Sequence, residues 1–434
     1  MAILLRTLRP PVSLAVLSAL VWFSACQKPV PAITLDAIAH SYVALTAQLG
    51  ERDLDSLDFY VGSDPAIEKL RQSPETFAEL HRSTQALRDR LQALPASLPN
   101  EAARKAMLLA QLGAMLLRIE QLQGHNRSFD EESRALFGVA APPDGDAVVR
   151  QHIRAQIASL LGDANHTTAA YARFETPFIV PEDRVPAVMK AALAQCRAIT
   201  LQHMPLPPGE HVDVQYVRIK PWSAFSRYLG DAHSLIQVNM DYPLTVDRIL
   251  ELACHEGYPG HHVFNLTRDR SLIQQHREEF RVQPTFSPQS YVSEAAASYA
   301  PDLALSAAER LQIERGILAP IAGIKATEFP RYLALERLVG ELHTAEPAIA
   351  RDFLDGELDF ARAADALERE TLMPHGEATL LYLNEFRTYM LCYTLGQDSV
   401  QTYVEDGSPP DAERWRRYVV LMTNPVVSLP PQAR

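Results

Sequence analysis

The sequence predicts a mainly α fold carrying a small β-sheet, and two patterns predict it. Over most of the chain, apolar residues recur at three- and four-residue steps among abundant Ala, Leu, Gln and Arg. Two short segments instead read as strands, the first of them by alternation of apolar and polar residues. These are HVDVQYVRI (211–219) and SLIQVNM (234–240), rich in Val, Tyr and Ile.

The first 25 residues stand apart. Arg6 and Arg9 precede a twelve-residue apolar run, VSLAVLSALVWF, too short to span a bilayer and flanked like a secretory signal. FSAC (23–26) then resembles the lipobox of bacterial lipoproteins, with Phe23 in place of the usual aliphatic residue. That resemblance implies cleavage before Cys26 and acylation of its thiol; ordinary signal cleavage near Ala25 is the alternative. Gln27, rather than Asp, implies sorting to the outer membrane in a Gram-negative cell. Several acyl chains on one cysteine give lasting attachment where a single chain does not. Residues 26–35 form a Pro-containing tether.

From 36 to 203 the sequence reads as a helical region. LDAIAHSYVALTAQL and AARKAMLLAQLGAMLLRIEQLQ are its clearest segments, and 146–175 and 186–203 continue it. Proline and glycine in MPLPPGE (204–210) mark a change, and the two strands follow. TVDRILELACHE (245–256) resumes helical spacing, and most of the chain to 424 stays helical. No internal repeat appears at solenoid periods.

The chain has 434 residues, 22% of them charged, and a net charge of −12, near −14 after signal removal. That balance argues against a nucleic-acid partner, which wants a clustered basic surface. Besides Cys26 there are Cys196, Cys254 and Cys392, without close paired spacing, so they read as buried thiols rather than a disulfide framework.

HEGYPGHH (255–262) carries the chemistry. On an unbroken α-helix, His255 and His262 lie roughly 10 Å apart along the axis, and His261 points about 120° away from His255. Neither pair closes on one ion at Zn–N distances of about 2 Å. Pro259 and Gly260 argue for a break, because proline removes an N–H and clashes one turn back. A bulge there would place His261 beside His255. Glu256 is then the neighbouring carboxylate that a metal-activated water requires as general base. Between Val282 and Pro301, Glu294 is the only Asp, Glu, Lys or Arg, and a lone acid among Ala, Ser and Tyr suits a third ligand. A structural histidine cluster and a solvent-facing glutamate are the plain alternatives.

These residues resemble the bacterial domain-of-unknown-function 885 family, grouped with the gluzincin zinc metallopeptidases. Its H-E-x-x-P-G-H-H pattern is met by His255, Glu256, Pro259, Gly260, His261 and His262. Its E-G-W-A-x-Y-x-E pattern is met in part, by Glu294, Ala297 and Tyr299; Ala295, Ala296 and Pro301 depart from it. The resemblance implies a gluzincin-like helical body around a central cleft, with 204–424 as the catalytic region. It implies one zinc ion held by His255, His261 and Glu294, with Glu256 as base and His262 either a supporting residue or a substitute ligand. Asn239, at the end of the second strand, looks like part of the family's edge strand and a substrate contact.

In LNEFRTYMLCYTLG (383–396), Tyr389 and Tyr393 are four apart and expected on one helical face, where either could donate to an oxyanion. Arg387 could hold a substrate carboxylate or pair with Glu385 at the surface. His375, in MPHGE, is a further oxyanion candidate. The expected function is zinc-dependent hydrolysis of short peptides in the cell envelope. Two other readings stay open: a non-catalytic envelope lipoprotein on a degenerate scaffold, and a zinc hydrolase of another amide or ester.

Overall fold

The computed structural model describes residues 34–424, apart from 97, 142–146, 164–166, 326 and 374–375, together with residue 429. The signal, Cys26 and His375 lie outside the described residues. Within them the chain is mainly helical, as the periodicity predicts, with two small sheets where one was expected. Among the described residues no helix is long and apolar enough to cross a membrane.

Helix Leu35–Arg52 begins at Thr34, whose hydroxyl accepts the Ala37 amide at 3.1 Å and satisfies one of the free first-turn donors. Helices Phe77–Ala93 and Pro99–Leu122 pack on it around Tyr42, Leu80, Leu87, Leu112 and Ile119. One expectation fails here. Residues 36–122 read as helical throughout, yet Leu57–Tyr60 forms a strand, β1. It pairs antiparallel with Val282–Pro284. Four residues are too few to show alternation, and the pairing partner is remote in sequence, so only tertiary contact defines this strand. With the Arg104–Glu279 ion pair at 2.7 Å, it ties the 36–203 helices to the region after 204.

The second sheet contains β2 (His211–Val217), β3 (Ala224–Gly230) and β4 (His233–Asn239), in the order β2-β4-β3. β3 was not legible in the sequence. It joins β4 as a hairpin through Asp231 and Ala232, both at positive φ, which matches the twist of a two-residue turn. β2 pairs parallel with β4, so the strand ending in Asn239 is central rather than an edge. Ser234, Ile236 and Val238 face inward on β4, and the last two join the main core.

That core fills the space between the sheet and helices Val185–His203, Val246–Leu252, His261–Ser271, Pro288–Ala304, Leu395–Glu405 and Asp411–Thr423. Gly396 permits the approach of its helix to Pro288–Ala304, since a Cβ there would meet Ala295 Cβ at 2.8 Å.

The cysteines correct another expectation. Cys196 and Cys254 form a disulfide with Cα atoms 5.6 Å apart, while Cys392 is a buried free thiol. Spacing hid the pair because 58 residues separate its members. Only the packing of helix Val185–His203 against the segment around Cys254 brings them together. Denatured protein is expected to expose two more reactive thiols after reduction than before it. Cys254→Ser should lower the unfolding free energy by about 2–4 kcal/mol. Equal thiol counts before and after reduction would refute the bridge.

Candidate metal centre

The segment carrying the histidines is a broken helix. Val246–Leu252 is regular, Ala253–Gly257 widens into a π-helix, and a new α-helix starts at His261. The turn is closed by wide backbone bonds: Tyr258 N–H donates to the Ala253 carbonyl at 3.3 Å, and Gly260 N–H to the Cys254 carbonyl at 2.9 Å. Any side chain at 260 would overlap the His255 carbonyl oxygen, so glycine is required by close approach. The break brings the His255 and His261 rings to 4.9 Å, nearly perpendicular.

Glu294 meets them from helix Pro288–Ala304, which starts with a Ser287 cap and Pro288 in its first turn. Its Oε1 is 3.1 Å from His261 Nε2, and its Oε2 is 3.6 Å from His255 Nε2. One ligand atom from each of the three residues lies within 4.8 Å of the others. Two donors bound to a tetrahedral ion at about 2.0–2.1 Å would stand about 3.3 Å apart. The observed separations bracket that value. Glu294 Oε2 is buried without a hydrogen-bond partner, and so is Glu256 Oε2. Buried carboxylate oxygens are costly to leave unpaired, so the donor set fits a dication.

Electrostatics agree with this convergence. Burial pushes the Glu294 carboxyl up, but His261 and His255 together outweigh it and hold the group well below the usual range. Burial likewise disfavours a charged His261, yet Glu294 prevails and raises the imidazole to about 9. The two groups form an ion pair that a metal would replace. Glu256, next to His255 and outside the three-residue ligand group, is raised by burial, with the histidines partly opposing.

Tyr389 supports Glu294. Its hydroxyl donates to Glu294 Oε1 at 2.9 Å and lies 3.1 Å from Ser290 Oγ. Burial and the Glu294 charge push that hydroxyl well above its ordinary value, so it keeps its proton and donates. Tyr393 is different: 37% exposed, its ring stands 6.2 Å from that of His255. The two tyrosines do not share an α-helical face, because Arg387–Cys392 is a 3₁₀ segment that starts with Arg387 at positive φ. Their rings still meet edge to face at 5.8 Å.

His262 is not a ligand in this arrangement. Its Nε2 lies 3.0 Å from Glu210 Oε2, and its Nδ1 lies 2.8 Å from Ser234 Oγ. Burial opposes the ionised Glu210, but His262, Tyr258 and Arg197 outweigh it and bring the carboxyl down to about 2. An ionised carboxylate only accepts, so Nε2 carries the proton, and Nδ1 accepts from Ser234. Both ring nitrogens are committed, and the side chain is fully buried.

Two expected substrate contacts are placed elsewhere. Arg387 donates to Glu132 Oε2 at 2.7 Å, deep in the protein, and makes neither the surface pair with Glu385 nor an open carboxylate site. The reason is Glu132, wholly buried and in need of a cation. Asn239 is 1% exposed and donates to the Lys220 and Trp222 carbonyls while accepting the Asp241 amide. It holds the loops at the end of the sheet.

Sequence reasoning missed Asp58, Glu210 and Arg248. Asp58, on β1, accepts from Thr285 Oγ1 at 2.8 Å, and burial, with Glu294 adding to it, pushes its carboxyl up to about 7. Nothing near it in sequence signals this. Arg248 was findable: it stands seven residues before His255 and is 41% accessible, paired with Glu251 at 2.8 Å.

The comparisons with known proteins are sparse. No protein-family profile matches the chain, and no curated protein does. A crystal structure described as a "putative lipoprotein" from Colwellia psychrerythraea is similar at 14% identity and a TM-score of 0.46, covering 90% of this chain and 74% of that one.

Tyr389→Phe is expected to weaken zinc binding by about 10–100-fold, the usual cost of losing a ligand's hydrogen-bond support, with an unchanged circular dichroism spectrum. Chelator competition measures it. Unaltered affinity would show that the hydroxyl does not orient Glu294.

Proposed function

We propose that this chain is a zinc-dependent hydrolase of peptide bonds, acting on short peptides in the cell envelope. The observation that carries the proposal is the convergence of His255 Nε2, His261 Nε2 and the Glu294 carboxylate beside Glu256, with one buried oxygen of each carboxylate left without a hydrogen-bond partner. His255, His261 and Glu294 would hold the ion. When bound, zinc supplies Lewis-acid polarisation of the carbonyl and a lowered pKa for water.

The remaining steps belong to the chain. Glu256, raised by burial, takes the proton of the attacking water and returns it to the departing amine. Tyr393, the accessible tyrosine, donates to the developing oxyanion. Tyr389 keeps Glu294 oriented. Arg248, half-buried two turns before His255 and bonded to Glu251 and Ser223, takes over the carboxylate-binding role first expected of Arg387. A gluzincin-like arrangement, with the helices around a central cleft, would admit extended peptides rather than folded proteins.

Placement in the envelope rests on the N-terminal segment. Signal cleavage before Cys26 and acylation of its thiol would tether the protein to a membrane facing the periplasm.

Glu256→Gln is expected to cut kcat on a peptide library by about 10²–10⁴-fold while leaving zinc stoichiometry unchanged. Full activity in that variant would remove Glu256 from the mechanism, and no zinc in the wild type would favour a non-catalytic lipoprotein. Separately, Cys26→Ser should move the protein from the membrane fraction to the soluble one. Unaltered fractionation would end the lipid-anchor proposal.

A further inference from the structure

We propose that the chain has a second divalent-metal site, on the outer face of the three-stranded sheet, formed by His211, Asp213 and His233. The register of the sheet creates it. β2 and β4 run parallel with His211 directly opposite His233. Side chains alternate along a strand, so Asp213, two residues after His211, projects on the same side. The two imidazoles lie face to face with centroids 4.0 Å apart, so one ring turns about its side-chain bonds for both in-plane lone pairs to meet one ion, and Asp213 Oδ2 is 3.0 Å from His233 Nε2. One ligand atom from each of the three residues falls within 4.8 Å of the other two.

The support of His211 is of the kind metal-binding histidines have. Its Nδ1 is 3.0 Å from the Gly209 carbonyl, which can only accept, so Nδ1 carries the proton and the Nε2 lone pair is left free. Two imidazoles and one carboxylate suit zinc and neighbouring transition metals rather than calcium or magnesium. His211 and Asp213 are exposed, so the ion would keep water in its remaining positions.

The location gives such an ion a structural consequence. Glu210 and Ser234 are the immediate neighbours of His211 and His233, and they project to the opposite side, where both hold His262. An ion clamping β2 to β4 here would fix the two residues that position His262, next to His261. The outer site stands on its own geometry and does not depend on the hydrolase reading.

Equilibrium dialysis of the full chain against zinc tests it, with near-ultraviolet circular dichroism to verify folding of each variant. Wild type is expected to bind two zinc ions. His211→Ala and His233→Ala should each bind one, and Asp213→Asn should weaken the outer site by at least ~10-fold, since even a supporting partner costs that much. His255→Ala should also retain one ion, at the outer site. If His211→Ala and His233→Ala bind as many ions as wild type, the proposal is overturned. Failure of the inner centre reads differently: wild type would bind one ion and His211→Ala none.

Discussion

The Glu294 carboxylate sits on a helix whose neighbouring residues are alanine, serine, valine and tyrosine, where an isolated charge would cost several kcal/mol. Two imidazoles from another segment and a tyrosine hydroxyl from a third meet that cost. Each of the three must therefore be held in place by something else. Much of the surrounding architecture follows from that requirement: the broken helix for the histidines, the 3₁₀ turn for Tyr389, and the packed alanines that bring helix Pro288–Ala304 close.

The break is stabilised from several directions. Its backbone closes through the Tyr258 and Gly260 amides, and its glycine admits the His255 carbonyl. Cys254, one residue before His255, is bound covalently to helix Val185–His203. Tyr418 donates to the Pro259 carbonyl at 3.3 Å and to the Ala296 carbonyl at 3.0 Å, joining the turn to the helix that carries Glu294. His262 anchors the far side through Glu210 and Ser234, and so links the turn to the sheet. A strained or mobile loop would not keep two nitrogens within bonding range of one ion. This turn is tied to a helix, a sheet and the helix opposite.

Polar groups at the centre divide into those committed to structure and those left accessible. Arg387, Asn239 and His262 are engaged by Glu132, by loop carbonyls, and by Glu210 with Ser234. Tyr393 remains exposed to solvent, and the Arg248–Glu251 pair is half-buried. The same chemical types, read from sequence, gave no way to separate the groups. What separates them is whether a buried partner already claims the side chain, as Glu132 claims Arg387.

Local pattern was enough for the helical class, the strands β2 and β4, and the interruption at Pro259-Gly260. Each of these depends on residues within a few positions: apolar periodicity, alternation, and a ring that removes a backbone donor. The lone acid at 294 was legible for a similar reason, because its isolation is visible in the string itself. The other features came from contacts between distant segments. The β1 pairing, the Cys196–Cys254 bridge, the capture of Arg387 by Glu132, and the placement of Asp58 and Glu210 all join residues far apart in sequence or on different elements. Chain distance carries no information about which remote group will be buried against another. Packing of whole elements decides that, and with it which polar side chains are left free to act.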